Sequence, residues 1–179
     1  MKKILSVLAV LLTLSCNRNE PTAADENLEA YAETSTASVI KQTAQENMKD
    51  VQAYLKECGA FFIATDGGDR PHVRPFGVSE IINGRLYIMT GKVKDVYKQI
   101  AKNGKVEICA LKPSGSEWMR LSGTLAADEA VAAKKEFLER NPSLKSMYKA
   151  EDENMALLYI TNATARFCSF SEPERRVTF

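Results

Sequence analysis

A basic segment near the middle of the chain combines residue types that can bind an anion. Thr90 and Gly91 end a predicted strand. Lys92 and Lys94 lie in the predicted opening turn of the helix that follows. A helix N-terminus has free backbone N–H groups and a partial positive charge, so cations there are disfavoured unless something negative is present. A phosphate bound by these N–H groups, the Thr90 hydroxyl and a lysine would satisfy all of them. The alternative is that both lysines are solvated surface charges.

A second candidate segment lies in the strand predicted over residues 71–82. Pro75 cannot donate a ladder hydrogen bond and Gly77 has no side chain. Together they indicate an edge, a bulge or a close approach of a ligand to the backbone. The period of two places His72 and Arg74 on one face of this strand. Arg74 is then either a guanidinium that faces a cleft or a surface arginine beside a proline kink.

The composition argues against nucleic acid as a partner. The chain has 179 residues, of which 45% are hydrophobic and 26% charged, with a net charge of +1 and one histidine. A nucleic-acid-binding domain is expected to carry a strongly basic face. The chain also has neither a dinucleotide fingerprint nor a P-loop, and one histidine cannot build a serine triad or a multi-histidine metal site. The absence of a dedicated nucleophile is expected where a bound cofactor carries out the chemistry.

The N-terminal segment predicts export. Residues 1–15 contain a lysine pair and then an apolar run, which is the layout of a secretory signal peptide. Residues 13–16, TLSC, resemble the lipobox of bacterial lipoproteins, although Thr13 replaces the usual aliphatic residue. This resemblance implies cleavage before Cys16 and lipidation of Cys16. A plain signal peptide is the alternative.

The segment after Cys16 is polar and acidic. Residues 16–38 are expected to be a lipid-anchored tether, and residues 39–179 the folded domain. Several acyl chains on Cys16 would anchor the protein stably to a membrane. The predicted location is therefore the bacterial cell envelope, either facing the periplasm or on the surface.

The remaining cysteines are predicted to be structural. Cys58, Cys109 and Cys168 form no CxxC pair and have no nearby histidine, so a zinc site is poorly supported. Cys109 and Cys168 lie in apolar strand-like runs, where cysteine behaves as a small buried hydrophobe. An odd number leaves at least one free thiol or one intermolecular bond.

The periodicity predicts a mainly antiparallel sheet with flanking helices. One helix should carry an apolar stripe from Ile40 to Cys58 and end at Gly59, a second has its stripe from Val93 to Ala101, and a third covers residues 129–140. Asn83-Gly84 predicts a hairpin. The predicted strands are residues 60–65, 71–82, 85–90, 105–111, 117–128, 156–161 and 163–170. A closed barrel would remove the exposed edges of such a sheet.

Four motifs together indicate a family. At PHVRPFG, LYIMTGKVKDVYKQI, KVEICAL and WMRLSG, in that order, the sequence resembles the pyridoxamine 5′-phosphate oxidase-like family of FMN-binding split barrels. The similarity covers about Asp50 to Phe170. The resemblance implies a six-stranded antiparallel split β-barrel that forms a homodimer, with FMN in a groove between the subunits.

The resemblance also assigns residues to the cofactor. The segment after Arg74 would lie along the flavin ring, and Thr90, Gly91 and Lys94 match the phosphate-binding segment, with Lys92 a weaker match. Trp118 falls where a residue of the partner subunit reaches the flavin, or it is an ordinary core or interface tryptophan. The FMN-binding residues implied are Arg74, Pro75, Phe76, Gly77, Thr90, Gly91, Lys92, Lys94 and Trp118.

The C-terminal tail departs from the true pyridoxamine-phosphate oxidases. Those enzymes end in a longer segment with an arginine and a histidine for the vitamin, whereas this tail ends ERRVTF. The expected function is an FMN-dependent small-molecule oxidoreductase or flavin reductase, with a quinone-like or nitro compound as acceptor. One alternative is a non-catalytic flavin- or haem-binding lipoprotein, in which His72 would be the axial haem ligand. Another is a lipoprotein that keeps the fold without the cofactor.

Overall fold

The computed structural model describes residues 43–179 of the chain. The predicted signal peptide (residues 1–15), the lipidation site at Cys16 and the tether (residues 16–38) lie outside the described residues. The same holds for the first residues of the domain predicted over 39–179. No helix in the described part of the chain is both long enough and apolar enough to cross a membrane.

The described chain contains eight strands and three α-helices. Helix α1 is described over residues 43–58, α2 is Asp95–Lys102 and α3 is Val131–Arg140; a short 3-10 helix, Pro142–Ser146, follows α3. Strands β1 to β8 are Phe61–Asp66, Pro71–Phe76, Ser79–Ile82, Arg85–Gly91, Lys105–Leu111, Glu117–Asp128, Met155–Ser169 and Arg175–Thr178.

All strand pairs are antiparallel, and the sheet order is β2-β1-β5-β6-β7-β4-β3, with β8 paired to β7. The two strands at the ends of this order, β2 and β3, are consecutive in the chain and are joined only by Gly77 and Val78. The edges of the sheet therefore come together at this link without pairing. This arrangement is an open, split barrel, and it confirms the predicted fold.

Two turn and bend predictions are confirmed. Asn83 and Gly84 have φ angles of 49° and 74° and join β3 to β4, as the Asn-Gly hairpin signal requires. Strand β6 has a register shift at Gly123, where an added Cβ would lie 2.7 Å from the side chain of Ile160. Only a residue without a side chain allows β6 and β7 to approach so closely at this bend.

The structure has eight strands, whereas the periodicity predicted seven and the family resemblance implied six. The strand predicted over residues 71–82 is divided at Gly77, because its first half pairs with β1 and its second half with β4. The strands predicted over 156–161 and 163–170 form the single strand β7, which continues through Asn162 at a φ of 52°. The tail, for which no element was predicted, adds β8.

Helix α1 covers one side of the barrel with the described part of the predicted apolar stripe, whose first residue, Ile40, lies outside the described residues. Met48, Val51 and Leu55 are buried, and the helix ends at Gly59, whose φ is 70°. The three buried residues of α1 pack with core-facing residues of the strands, among them Phe61, Ile63, Ile108, Met119, Leu121 and Leu158. A second core lies between α3 and the β3–β4 hairpin and is centred on Phe137.

The prediction that Cys109 is buried is wrong. Val106, Ile108 and Ala110 face the core, so the alternation of β5 places Cys109 on the outer face of the sheet, where it is exposed. Cys58 and Cys168 are half-buried, and all three thiols of the described residues are free.

Candidate functional site

A groove lies between the β2–β3 link and the β4–α2 link. Its volume is about 550 Å³, which is within the range of small-molecule sites. It is lined by Arg74, Pro75, Phe76, Gly77, Val78, Met89, Thr90, Val93, Lys94, Asp95, Val96 and Leu144. Six of the nine residues assigned to FMN from the sequence are among them; Gly91, Lys92 and Trp118 are not.

Arg74 brings to this groove a positive charge that no carboxylate of the described residues pairs with. The alternation of β2 leaves Val73 63% exposed and turns the Arg74 side chain inward, where it is half-buried. Its Nη1 donates a hydrogen bond to the Thr65 hydroxyl at 2.7 Å. Within residues 43–179, Arg74 has no ion pair. A guanidinium held by a neutral hydroxyl keeps most of its donors available for an anion.

The start of α2 differs from the prediction. Lys92 and Lys94 were expected in its opening turn, but the helix begins at Asp95 and Lys94 is its N-cap residue, with extended φ and ψ of −76° and 143°. Lys92 lies in the turn before it. Its backbone N–H donates a hydrogen bond to the carbonyl of Asn154 at 2.7 Å. This bond attaches the turn to the segment before β7, and the helix therefore begins after Lys94.

The first turn of α2 nevertheless offers donors to the groove. The Lys94 carbonyl accepts the N–H of Tyr97 at 3.0 Å, as expected of a helix start. The N–H groups of Asp95 and Val96 have no acceptor among the described residues. The hydroxyl of Thr90, which lines the groove, also makes no hydrogen bond within this part of the chain. These groups and Lys94 form a set of donors that suits a phosphate.

Lys92 is neutralised by the protein itself. Its Nζ lies 2.8 Å from Oε1 of Glu129, and the same carboxylate is 2.9 Å from Nζ of the buried Lys134. The hydrogen bond to Glu129 raises the pKa of Lys92, and the two lysines lower the pKa of Glu129. Neither Lys92 nor Gly91 lines the groove. A Cβ on Gly91 would lie 3.2 Å from the Asn154 side chain, so this glycine serves the tight turn.

Asp95 is a groove residue that the sequence analysis did not identify. It is the first residue of α2, and its carboxylate accepts a hydrogen bond from Lys98 at 3.0 Å. That bond lowers the pKa of Asp95, and the nearby charges of Arg74 and His72 lower it further. A carboxylate beside Arg74 and Lys94 repels a bound phosphate while it stabilises the helix N-terminus.

The apolar lining comes from segments that are distant in sequence. Val78 follows the β2–β3 link, Met89 lies near the end of β4 and Leu144 belongs to the 3-10 helix. Val93, 70% exposed, lies beside them between the two lysines. The polar and apolar parts of the lining together suit a ligand with an anionic group attached to a flat apolar body. Leu144 had no signal in the sequence, since its position depends on the packing of α3.

Trp118 and His72 lie outside the groove. Trp118 is on the outer face of the sheet, opposite Cys168 in β7, and its ring centroid is 5.2 Å from that of Phe170. His72 Nε2 is 3.3 Å from a carboxylate oxygen of Asp69. No group of three or more potential metal ligands from His, Cys, Asp and Glu occurs within residues 43–179.

Solved structures share this fold. A NimC/NimA family protein from Clostridium acetobutylicum is 39% identical, with a TM-score of 0.75 over 78% of this chain and 96% of that one. General Stress Protein 26 from Bacillus anthracis is 19% identical (TM-score 0.58; 73% of this chain, 98% of that one). A heme binding protein from Mycobacterium smegmatis is 13% identical (TM-score 0.53; 70% and 57%). At such low identity the last two are similar in fold alone.

Two comparisons of the sequence with known proteins gave different results. No curated protein sequence matches the chain. A family model described as "Pyridoxamine 5′-phosphate oxidase like" matches residues 46–178, which include every strand and the whole groove. The chain therefore belongs to the pyridoxamine 5′-phosphate oxidase-like family.

Proposed function

We propose that the groove binds FMN and that the protein is an FMN-dependent oxidoreductase or flavin reductase of small molecules. The observation that carries the proposal is Arg74, a half-buried guanidinium without an ion pair within residues 43–179, beside the free N–H groups of α2. A buried or half-buried charge is costly unless it is paired. A phosphate monoester would supply the missing charge and accept hydrogen bonds from both sides.

The residues of the groove fit the two parts of FMN. The phosphate would accept hydrogen bonds from Arg74, Lys94, the Thr90 hydroxyl and the start of α2. The ring would lie along Pro75–Gly77, where Gly77 offers backbone without a side chain, with Met89 and Leu144 as apolar contacts. When bound, FMN would accept electrons from a reductant and pass them to a small acceptor such as a quinone-like or nitro compound. The protein binds and orients both molecules and excludes water from the apolar lining.

The contacts of the C-terminal strand argue against oxidation of the vitamin. Arg175 pairs with Asp50 at 3.3 Å and stacks over the ring of Phe167, while Arg176 pairs with Glu174 at 3.4 Å. Both arginines of the tail are therefore paired with carboxylates, and the contacts of Arg175 help to dock β8 on the domain. This arrangement favours an oxidoreductase other than pyridoxamine-phosphate oxidase.

A homodimer would complete the site in this proposal. The outer face of the sheet carries exposed apolar side chains, with Phe62 46% and Leu111 51% exposed near Cys109 and Trp118. A second copy packed on this face would cover them and could bring Trp118 of one subunit to the groove of the other. Lipidation of Cys16 would hold this dimer at a membrane of the cell envelope.

The haem-binding alternative is less well supported by the contacts of His72. An axial ligand must project into the ligand site, whereas His72 lies outside the groove beside Asp69. An absorption spectrum of the purified protein separates the two cofactors. Flavin bands are expected, and a Soret band that disappears in His72→Ala would favour haem.

Removal of both groove cations tests the proposal. Arg74→Ala with Lys94→Ala should abolish retention of FMN, because the phosphate loses two charge-assisted partners worth about 1.5–3 kcal/mol each. The yellow colour after purification and a fluorescence titration with FMN measure the loss. Lys49→Ala with Arg70→Ala removes the same charge from exposed positions outside the groove and should leave FMN bound. Equal FMN retention by the two double variants would refute the assignment.

A further inference from the structure

A threonine hydroxyl is buried in the core-facing row of β1. Phe61, Ile63 and Thr65 alternate along this face of the strand and are 0%, 0% and 3% exposed. Phe61 and Ile63 belong to the barrel core. A buried hydroxyl destabilises a fold unless it is hydrogen-bonded, so the partners of Thr65 account for its presence among apolar neighbours.

The Thr65 hydroxyl has two partners. It accepts a hydrogen bond from Nη1 of Arg74 and donates one to Oε1 of Gln99, each at 2.7 Å. The direction of both hydrogen bonds is fixed, from Arg74 to Thr65 and from Thr65 to Gln99, since a guanidinium can only donate and an amide oxygen can only accept. The side chain of Arg74 therefore ends against a polarised acceptor rather than against a mobile solvent shell.

This chain of hydrogen bonds joins three elements. Arg74 lies on β2, Thr65 on β1, and Gln99 on α2, four residues after the first residue of the helix. Two of the elements that provide donors to the groove are β2, through Arg74, and α2, through its N-terminus. Thr65 and Gln99 link these two elements to each other through one hydroxyl.

We propose that Thr65 and Gln99 are positioning residues that hold the Arg74 guanidinium in the orientation that binds a phosphoryl group. The proposal rests on the proposed function, since it concerns the phosphate of the same ligand. Only one N–H of Arg74 is used by Thr65, and the others remain for the anion. Fixing a long side chain before the ligand arrives lowers the entropy cost of binding. Without the hydroxyl, Arg74 can turn toward the neighbouring Asp95 carboxylate.

The test compares two ligands that differ only in the phosphate. Thr65→Val in the full chain should weaken FMN binding up to about tenfold, because Arg74 must then be immobilised when the ligand binds. Binding of riboflavin should stay unchanged, because riboflavin has no phosphate for Arg74 to hold. Thr65→Ser keeps the hydroxyl and should restore the FMN-to-riboflavin affinity ratio of the wild type. Fluorescence titrations measure the affinities of the three proteins for both ligands.

A matched control separates this role from general stability. Thr161→Val removes a hydroxyl from β7 that bonds to the Thr124 carbonyl at 3.2 Å, at the bend of β6. It should leave the affinity ratio unchanged. If Thr65→Val does not fold, Gln99→Met removes the Thr65–Gln99 hydrogen bond from a half-buried helix position and should lower the ratio less.

The outcomes distinguish this inference from the function on which it rests. If wild-type protein binds FMN and riboflavin equally, the phosphate site itself is wrong. If the wild type prefers FMN and Thr65→Val keeps the full preference, the positioning role of Thr65 is wrong and the phosphate site stands. Loss of affinity for both ligands in Thr65→Val would also contradict the inference, because it indicates a structural role.

Discussion

Two regions of this protein each carry two cationic side chains, and the contacts of these cations differ. The groove contains Arg74 and Lys94, and the C-terminal strand contains Arg175 and Arg176. Each arginine of the C-terminal strand faces a carboxylate within 3.4 Å, whereas neither cation of the groove has an ion pair within residues 43–179. The difference shows that a candidate anion site is defined by charge left without a partner rather than by the number of basic residues.

The same distinction separates two lysines only two residues apart. Lys92 pairs with Glu129 and lies outside the groove, while Lys94 is the N-cap residue of α2 and lines the groove. The sequence motif contains both lysines. In the structure one of them pairs with Glu129 and the other lines the groove. Replacement of each lysine by alanine should therefore change the affinity for FMN to a different extent.

Lys94→Ala is the substitution with the largest expected effect in this comparison. It should weaken FMN binding about tenfold, since the phosphate loses one charge-assisted hydrogen bond. Lys92→Ala removes the same charge from the same turn and should change the affinity less than about twofold, because only screened long-range attraction is lost. Fluorescence titration of the two variants at one salt concentration measures both effects. Equal losses would mean that Lys92 also reaches the phosphate, and the comparison would fail.

Asp95→Asn should have a smaller effect of the opposite sign. The carboxylate repels the phosphate beside Arg74 and Lys94, so its neutralisation should tighten FMN binding about threefold, and the gain should shrink at high salt. Glu139→Gln, on α3 outside the groove, changes the net charge equally and should leave the affinity unchanged. Weaker binding by Asp95→Asn would instead indicate that the carboxylate accepts hydrogen bonds from the ligand.

Much of the fold could be predicted because its signals are local. The strand boundaries of β5 and β6, the Asn83-Gly84 turn and the bend at Gly123 follow from alternation and from residues that allow special backbone geometry. Local patterns could not show which strand pairs with which. For this reason Pro75-Phe76-Gly77 indicated a break in a strand but not that its two halves lie at opposite ends of the sheet order.

Part of the lining of the groove could be predicted from the sequence for the same reason. Arg74, Thr90 and Lys94 lie in recognisable motifs, and the structure brings them to one groove. In the sequence, Thr65 is an ordinary residue of an apolar strand, and Leu144 lies in a charged segment. Glu129, the partner of Lys92, is also distant in sequence. Their roles arise from tertiary contacts that no spacing along the chain encodes.

The smallest expected effect concerns acid stability and tests whether the Lys92–Glu129 pair exists in solution. Lys92, and then Lys134, lower the pKa of Glu129 below its usual 4.5. The unfolded chain therefore binds more protons at acidic pH than the folded protein does. The pair stabilises the fold at pH values above the pKa of Glu129 in the unfolded chain. This contribution is lost as the pH falls through the pKa of Glu129 in the folded protein. Since Glu129 is 57% exposed, the contribution should stay below about 1 kcal/mol.

Urea denaturation at pH 7 and at pH 3 measures this contribution. The loss of stability on acidification should be smaller in Lys92→Ala than in the wild type, while Lys94→Ala, whose lysine has no carboxylate partner among the described residues, should keep the wild-type loss. If Lys92→Ala and the wild type lose the same stability, Lys92 is not held by Glu129. It would then be free to turn to the groove, and the contrast between the two lysines would have no structural basis.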